Sequence, residues 1–202
     1  MSPKKEPEYP LRVTESNGRE GLVQCLRRLP AVLFCFLFAG CLVYQTIDYR
    51  ITLNKDGTSG SIAIEYTNVE SSAADSAGQR EDFAELMSNW KSDAYLLERM
   101  DDGIYVKERS LTLNKGVLVW KENGIFSDTR KLREGITYDD TTRVTIPGDE
   151  TVLSTNGTLE IGRDSTVVSW PPHTSEFHVR IQQRNFEHTS HFARRFLAWK
   201  KR

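Results

Sequence analysis

Apolar and polar residues alternate with period two over residues 43–53, where Val43, Ile47, Tyr49, Ile51 and Leu53 share one parity. That pattern predicts a half-buried strand. Asn54-Lys55-Asp56-Gly57 supplies a turn, Ile62, Ile64 and Tyr66 resume the alternation, and the pair predicts a β-hairpin with Gly57 at a positive φ. Residues 69–79, VESSAADSAGQ, are small and polar and predict a loop or a loose helix entry. Phe83, Leu86, Met87, Trp90, Ala94 and Leu97 then recur at three- and four-residue spacing. With Glu81, Asp82 and Glu85 early and Arg99 late, they predict one long amphipathic helix ended by Asp101-Asp102-Gly103.

Strand patterns return over residues 104–113 and 117–121, joined by Asn114-Lys115-Gly116, and again over 143–146, 152–155, 158–161 and 166–170. Asn156-Gly157 is the strongest two-residue hairpin signal in the chain. Pro171-Pro172 stops the run, and Phe177, Val179 and Ile181 mark a last strand. Many antiparallel strands with one helix predict an α+β domain, its helix packed on a face of the sheet. The expected boundaries are a signal region at 1–40, an α+β domain at 42–183 and a basic amphipathic tail at 184–202.

The most apolar stretch, AVLFCFLFAGCLVYQ, lies at residues 31–45. The uninterrupted run over 29–44 is shorter than the roughly 20 residues of a spanning helix. Arg27-Arg28 precede it and Phe38-Ala39-Gly40-Cys41 close it, the order of a secretory signal. The small pair Ala39-Gly40 before Cys41 resembles the lipobox of bacterial lipoproteins, with Phe38 where that family usually has Leu. The resemblance implies that Cys41 is lipidated and becomes the first residue of the mature chain. Residues 1–22 are polar and long for an n-region, so translation is expected to start further in, at Val23, giving a signal of about 23–40. Two other readings stand beside this one, a core segment with Cys41 as a small buried residue and an uncleaved signal anchor.

The stretch CLVYQTIDYRITLNKDGTSGSIAIEY, with Thr52, Asn54, Asp56 and Gly57 in its turn, resembles the start of LppM-like and related bacterial envelope lipoproteins. It implies a lipid-anchored envelope protein with a small α+β domain and carries over no catalytic residue. Residue 42 is Leu and not Asp, which in a Gram-negative envelope is compatible with release to the outer membrane.

The formal net charge of -1 gives no general bias toward nucleic acid, and no nucleic-acid partner is expected. Removing the 6 basic and 4 acidic residues of 1–40 leaves 21 and 24, so the basic tail stands out. Its Phe192, Arg194, Arg195, Phe196, Trp199 and Lys200 are candidate membrane contacts, and the competing reading docks the same helix on its own domain. Cys25, Cys35 and Cys41 are the only cysteines, which excludes a disulfide or thiolate metal site after residue 41.

His173, His178, His188 and His191 lack the partners of a zinc motif and read as surface residues. The pairs Asp101-Asp102 and Asp139-Asp140 read as turn and cap residues. Trp90, Trp120, Trp170 and Trp199 fit a core better than a ligand pocket, and Asn156-Gly157-Thr158, though a sequon, explains itself as a turn. No catalytic, cofactor or metal motif is present. The expected function is non-enzymatic binding of a lipid or envelope protein by a domain facing the periplasm or exterior. The alternatives are an enzyme acting on envelope polymers and a membrane protein with an uncleaved anchor.

Overall fold

The computed structural model describes residues 42–132, 136–138, 142–187 and 191–201. They form an α+β unit of two antiparallel sheets and three helices. The first strand, β1 (Leu42–Leu53), pairs with β2 (Gly60–Ser71) across the turn anticipated at Gly57. Gly57 sits at φ 69°, and the Asp56 carboxylate accepts the Thr58 and Ser59 backbone N–H groups at 2.8 and 2.9 Å. Those two bonds, that from Ser59 foremost, hold the Asp56 carboxyl at about 2. The second hairpin, β3 (Tyr105–Asn114) and β4 (Val117–Phe126), turns on Lys115 and Gly116 at φ 50° and 84°. Two positive φ values in a two-residue loop match the twist of the flanking strands.

After β5 (Ile136–Tyr138) and β6 (Thr142–Pro147), the chain adds β7 (Glu150–Thr155), β8 (Thr158–Ile161), β9 (Ser165–Trp170) and β10 (Glu176–Gln183). The large sheet has the order β3-β4-β2-β1-β10-β7 and the small one β5-β6-β9-β8. The Asn156-Gly157 hairpin expectation is therefore corrected, because β7 and β8 lie in different sheets. Asn156 instead links the two. Its Oδ1 accepts Trp170 Nε1–H at 2.6 Å and the His178 N–H at 2.9 Å, and its Nδ2 donates to the Glu176 carbonyl at 2.9 Å. A side chain with this many backbone partners serves a crossover as well as it serves a tight turn.

Register explains how the large sheet divides its faces. Ile181, Ile47, Tyr66, Trp120 and Leu111 lie opposite one another along a row across five strands, so they share one face. The adjacent row reads Arg180, Asp48, Glu65, Lys121 and Ser110, and its side chains occupy the other face. One face is thus covered and the other polar, as antiparallel sheets allow.

Two different layers share the covered face. The small sheet lies over β1, β2 and β10, enclosing Ile47, Ile51, Ile62, Ile64, Val168 and Phe177 among others. The helices lie over β2, β3 and β4, around Val69, Phe83, Leu86, Tyr95, Trp120 and Phe196. Each such aliphatic or aromatic side chain, fully buried, contributes about 1.5–3 kcal/mol of transfer free energy.

The single long helix of the sequence reading is two helices. The first, α1 (Ser76–Asn89), is capped by Asp75, which accepts Ala77 and Gly78 N–H groups at 2.8 and 2.9 Å; these bonds lower the Asp75 carboxyl below the usual range. The second, α2 (Asp93–Asp101), restarts at Ser92, whose Oγ accepts the Tyr95 N–H at 3.2 Å. This restart turns Tyr95 and Arg99 to the sheet, while Leu97, on the predicted apolar stripe, is 61% exposed. The loop expected over 69–79 is also shorter than anticipated, because β2 runs on through Ser71, paired with Leu42, and α1 begins at Ser76. The last helix, α3 (His191–Lys200), packs against β2, β4 and α1.

Candidate functional site

The end of the sheet where β1 starts meets the first turn of α3. Cys41 lies outside the described residues, and β1 begins directly after it at Leu42. Leu42 packs against the helix-side core, Val43 pairs with Glu70, and the buried Glu70 carboxylate accepts the Phe192 N–H at 3.1 Å. Glu70 thereby serves the N-terminus of α3, where a negative group complements the free N–H groups and the dipole.

Of the six candidate membrane contacts, Phe192 and Phe196 are 0% and 1% exposed and belong to the core. In the structure they pack inside the domain: Phe192 meets Phe83 edge-on at 5.3 Å and Phe196 stacks on Trp199 at 5.9 Å. Trp199 is half-buried beneath Lys91, whose Nζ lies 4.6 Å from its ring centroid and 5.7 Å from that of Trp90. This cation between two indoles ties the end of α3 to the α1–α2 junction. Lys200 reaches to 5.2 Å from the Phe196 ring, Arg195 is half-buried and Arg194 is exposed.

A second polar constellation is fully interior. Along β4 the buried parity runs Leu118, Trp120, Glu122, Gly124 and Phe126, so a carboxylate takes a core position. Glu122 accepts from the Tyr95 hydroxyl and from Arg99 Nη2 at 2.5 Å, and Arg99 Nη1 reaches Asp102 at 3.4 Å. Arg109 lies over the Tyr95 ring at 5.7 Å and donates to the Ser92 carbonyl at 3.0 Å. Arg99, Asp102 and Glu122 are each at most 4% exposed, and their directional bonds join α2 to β4. Asp102, expected as a cap, caps α2 and also closes this network. A similar buried bond joins the Ser71 hydroxyl to Asp82 across the β2–α1 junction.

On the polar face, His178 Nε2 lies 3.3 Å from Asp48, which also accepts Arg50 Nε–H at 3.0 Å. Lys121 pairs with Glu65 at 2.6 Å. Among the described residues neither Asp48 nor His178 is hydrogen-bonded to a serine or cysteine side chain. His173 is exposed at φ 69° and His191 is half-buried, whereas His188, Asp139 and Asp140 lie outside the described residues. No group of three potential metal ligands occurs among the described residues, and none of their helices is long and apolar enough to cross a membrane.

A cleft of about 180 Å³ lies beside Asp149, Gln183 and Asn185. It is smaller than the roughly 300–1,000 Å³ typical of ligand pockets. Next to it, burial and then the neighbouring Asp149 charge push the Glu150 carboxyl up to about 6.

Sequence reasoning missed Glu122 and Arg99, although parity in β4 was a usable signal for the first. Arg99 was invisible as a core residue because its rotation depends on the break at Ser92. Comparison with known proteins adds no relative: no family model, curated protein or solved structure matches this chain.

Proposed function

We propose that this chain is a lipid-anchored cell-envelope protein. Its α+β domain faces the periplasm or exterior and binds a lipid or another envelope protein without catalysing a reaction. The observation that carries the reading is the sequence Phe38-Ala39-Gly40-Cys41, set after Arg27-Arg28 and the apolar run and followed directly by β1 at Leu42. An acylated Cys41 thiol would join the bilayer to the first strand-pairing residue of the sheet, Leu42, with no spacer between them. The non-enzymatic part is supported by where the interior carboxylates are used. Glu122 and Asp102 hold Arg99, Glu70 holds the start of α3, and Asp82 holds Ser71.

Intact mass of the membrane-extracted protein, for wild type and Cys41→Ser, tests the anchor. The expected mature species begins at Cys41 with added acyl mass, such as palmitate, and is lost in the variant. An unmodified chain retaining residues 31–40 overturns the reading.

A further inference from the structure

We infer that the outward face of α3, formed by Arg194, Leu197 and Ala198 and continued by Lys201 just past the helix end, with Lys200 beside them, rests on an anionic phospholipid surface and sets the orientation of the domain on it. The inference builds on the membrane-tethered reading above.

Positions 194, 197, 198 and 201 follow the i, i+3, i+4, i+7 rule and form one stripe. The stripe lies opposite Phe192, Ala193 and Phe196, which are in the core. Arg194, Ala198 and Lys201 are exposed, and Leu197 is 50% exposed. A bulky aliphatic side chain is thus held in solvent with a cation one turn away on either side. That is the order in which an interfacial helix meets a bilayer, apolar groups toward the acyl boundary and cations at the phosphates.

Charge selects the partner. Residues 188–202 contain Arg194, Arg195, Lys200, Lys201 and Arg202 and no Asp or Glu, in a chain whose formal net charge is -1. Each Lys or Arg close to an anionic leaflet contributes about 1 kcal/mol of attraction. A nucleic acid would meet the same cations but would leave Leu197 without a use.

Position selects the membrane. The helix begins where Phe192 N–H meets Glu70, and Glu70 pairs with Val43, two residues from Cys41. The first turn of α3 is therefore level with the start of β1, near the point of attachment. Lys91 between Trp90 and Trp199 and the Phe196–Trp199 stack fix its far end, so the stripe is displayed by a helix already ordered.

The test uses the full chain, with Cys25 and Cys35 replaced by serine and Leu197→Cys introduced, reconstituted in phosphatidylcholine vesicles with or without phosphatidylglycerol. A membrane-impermeant maleimide is followed peptide by peptide. Labelling at position 197 is expected to be on the order of tenfold slower in the anionic vesicles, through the contact of the neighbouring cations with lipid. Salt at about 1 M, which shortens the screening length to about 3 Å, or the pair Arg194→Glu and Lys201→Glu, should restore the rate. A control Leu159→Cys on the distant β8, where Leu159 is 43% exposed, should label equally in both vesicles.

Equal rates at position 197 in the two vesicles overturn the inference. Intact mass of the same sample reports Cys41 acylation separately. Protection at 197 in an unacylated chain would remove the anchor and keep the lipid contact, and acylation without protection would do the reverse.

Discussion

The two halves of the covered sheet face are built by different means. Under the small sheet the buried cluster is aliphatic and aromatic, with Ile47, Ile51, Ile62, Ile64, Ile146, Val168, Phe177, Val179 and Ile181 meeting one another. Under the helices the interior includes Glu70, Asp82, Arg99, Asp102 and Glu122. Strands inherit their position from backbone register, so their side chains need only fill space. A helix laid on a sheet can slide and rotate, and directional bonds from Glu122 to Tyr95 and Arg99 select one arrangement.

The largest effect should come from cutting that network. Glu122→Ala removes the shorter of the two ion pairs described for the buried Arg99 guanidinium, and a loss of about 3–5 kcal/mol is expected in urea denaturation. Replacing both members, Glu122→Leu with Arg99→Met, should recover much of it, since an apolar pair of similar volume is often neutral. If the double variant is no more stable than the single one, the helix side does not differ from the strand side in the way described.

Asn156→Ala tests the strand side, where polar bonds are few. It deprives Trp170 Nε1–H and the His178 N–H of their acceptor, and a cost of about 2 kcal/mol is expected at the junction of the two sheets. Ser92→Ala should cost about 1 kcal/mol by removing the cap of α2. Because Ser92 also sets the restart that aims Tyr95 and Arg99, near-ultraviolet circular dichroism should change along with the melting temperature.

An effect as small concerns Glu150, on the edge strand β7 of the large sheet. Its carboxyl is raised from 4.5 to about 6 in the folded protein, chiefly by burial, so the folded state holds the extra proton in that window. Stability contributed by this proton is present below pH 4.5 and lost as pH rises through about 6. Glu150→Gln should remove that decline and leave the protein more stable at pH 7 by about 1 kcal/mol, after allowance for partial exposure. A variant whose pH profile parallels wild type between pH 4 and 7 would show that the site is solvated.

The strand half of the molecule was largely legible in the sequence. Ile47 and Ile51, then Ile62 and Ile64, announce the buried parity of β1 and β2, and Asn54 to Gly57 and Lys115-Gly116 announce their turns, because these signals are local. The pairing of β1 with β10 was not legible, since no local pattern says which strands become neighbours. For the same reason Asn156-Gly157 misled: its chemistry suits a chain reversal whether the next strand stays in the same sheet or crosses to another. The helix half was misread by one break. Once Ser92 interrupts the periodicity, the stripe through Ala94 and Leu97 points outward and the one through Tyr95 and Arg99 points in. In the candidate site, helical spacing marked Phe192 and Phe196 as one face of α3 but left open whether protein or lipid would cover it.

Placing the first strand beside the last also governs when the fold can close. Thr46 pairs with Gln182, so the middle of the large sheet stays open until nearly the whole domain has left the ribosome. At about 5–20 residues per second, the strand that completes β1 follows it by on the order of ten seconds. During that interval β1 and β2 can form their hairpin, but the far edge of β1 has no partner, and the apolar parity of Ile47 and Ile51 stays uncovered. The arrangement leaves one edge of β1 open to pairing until β10 has been made.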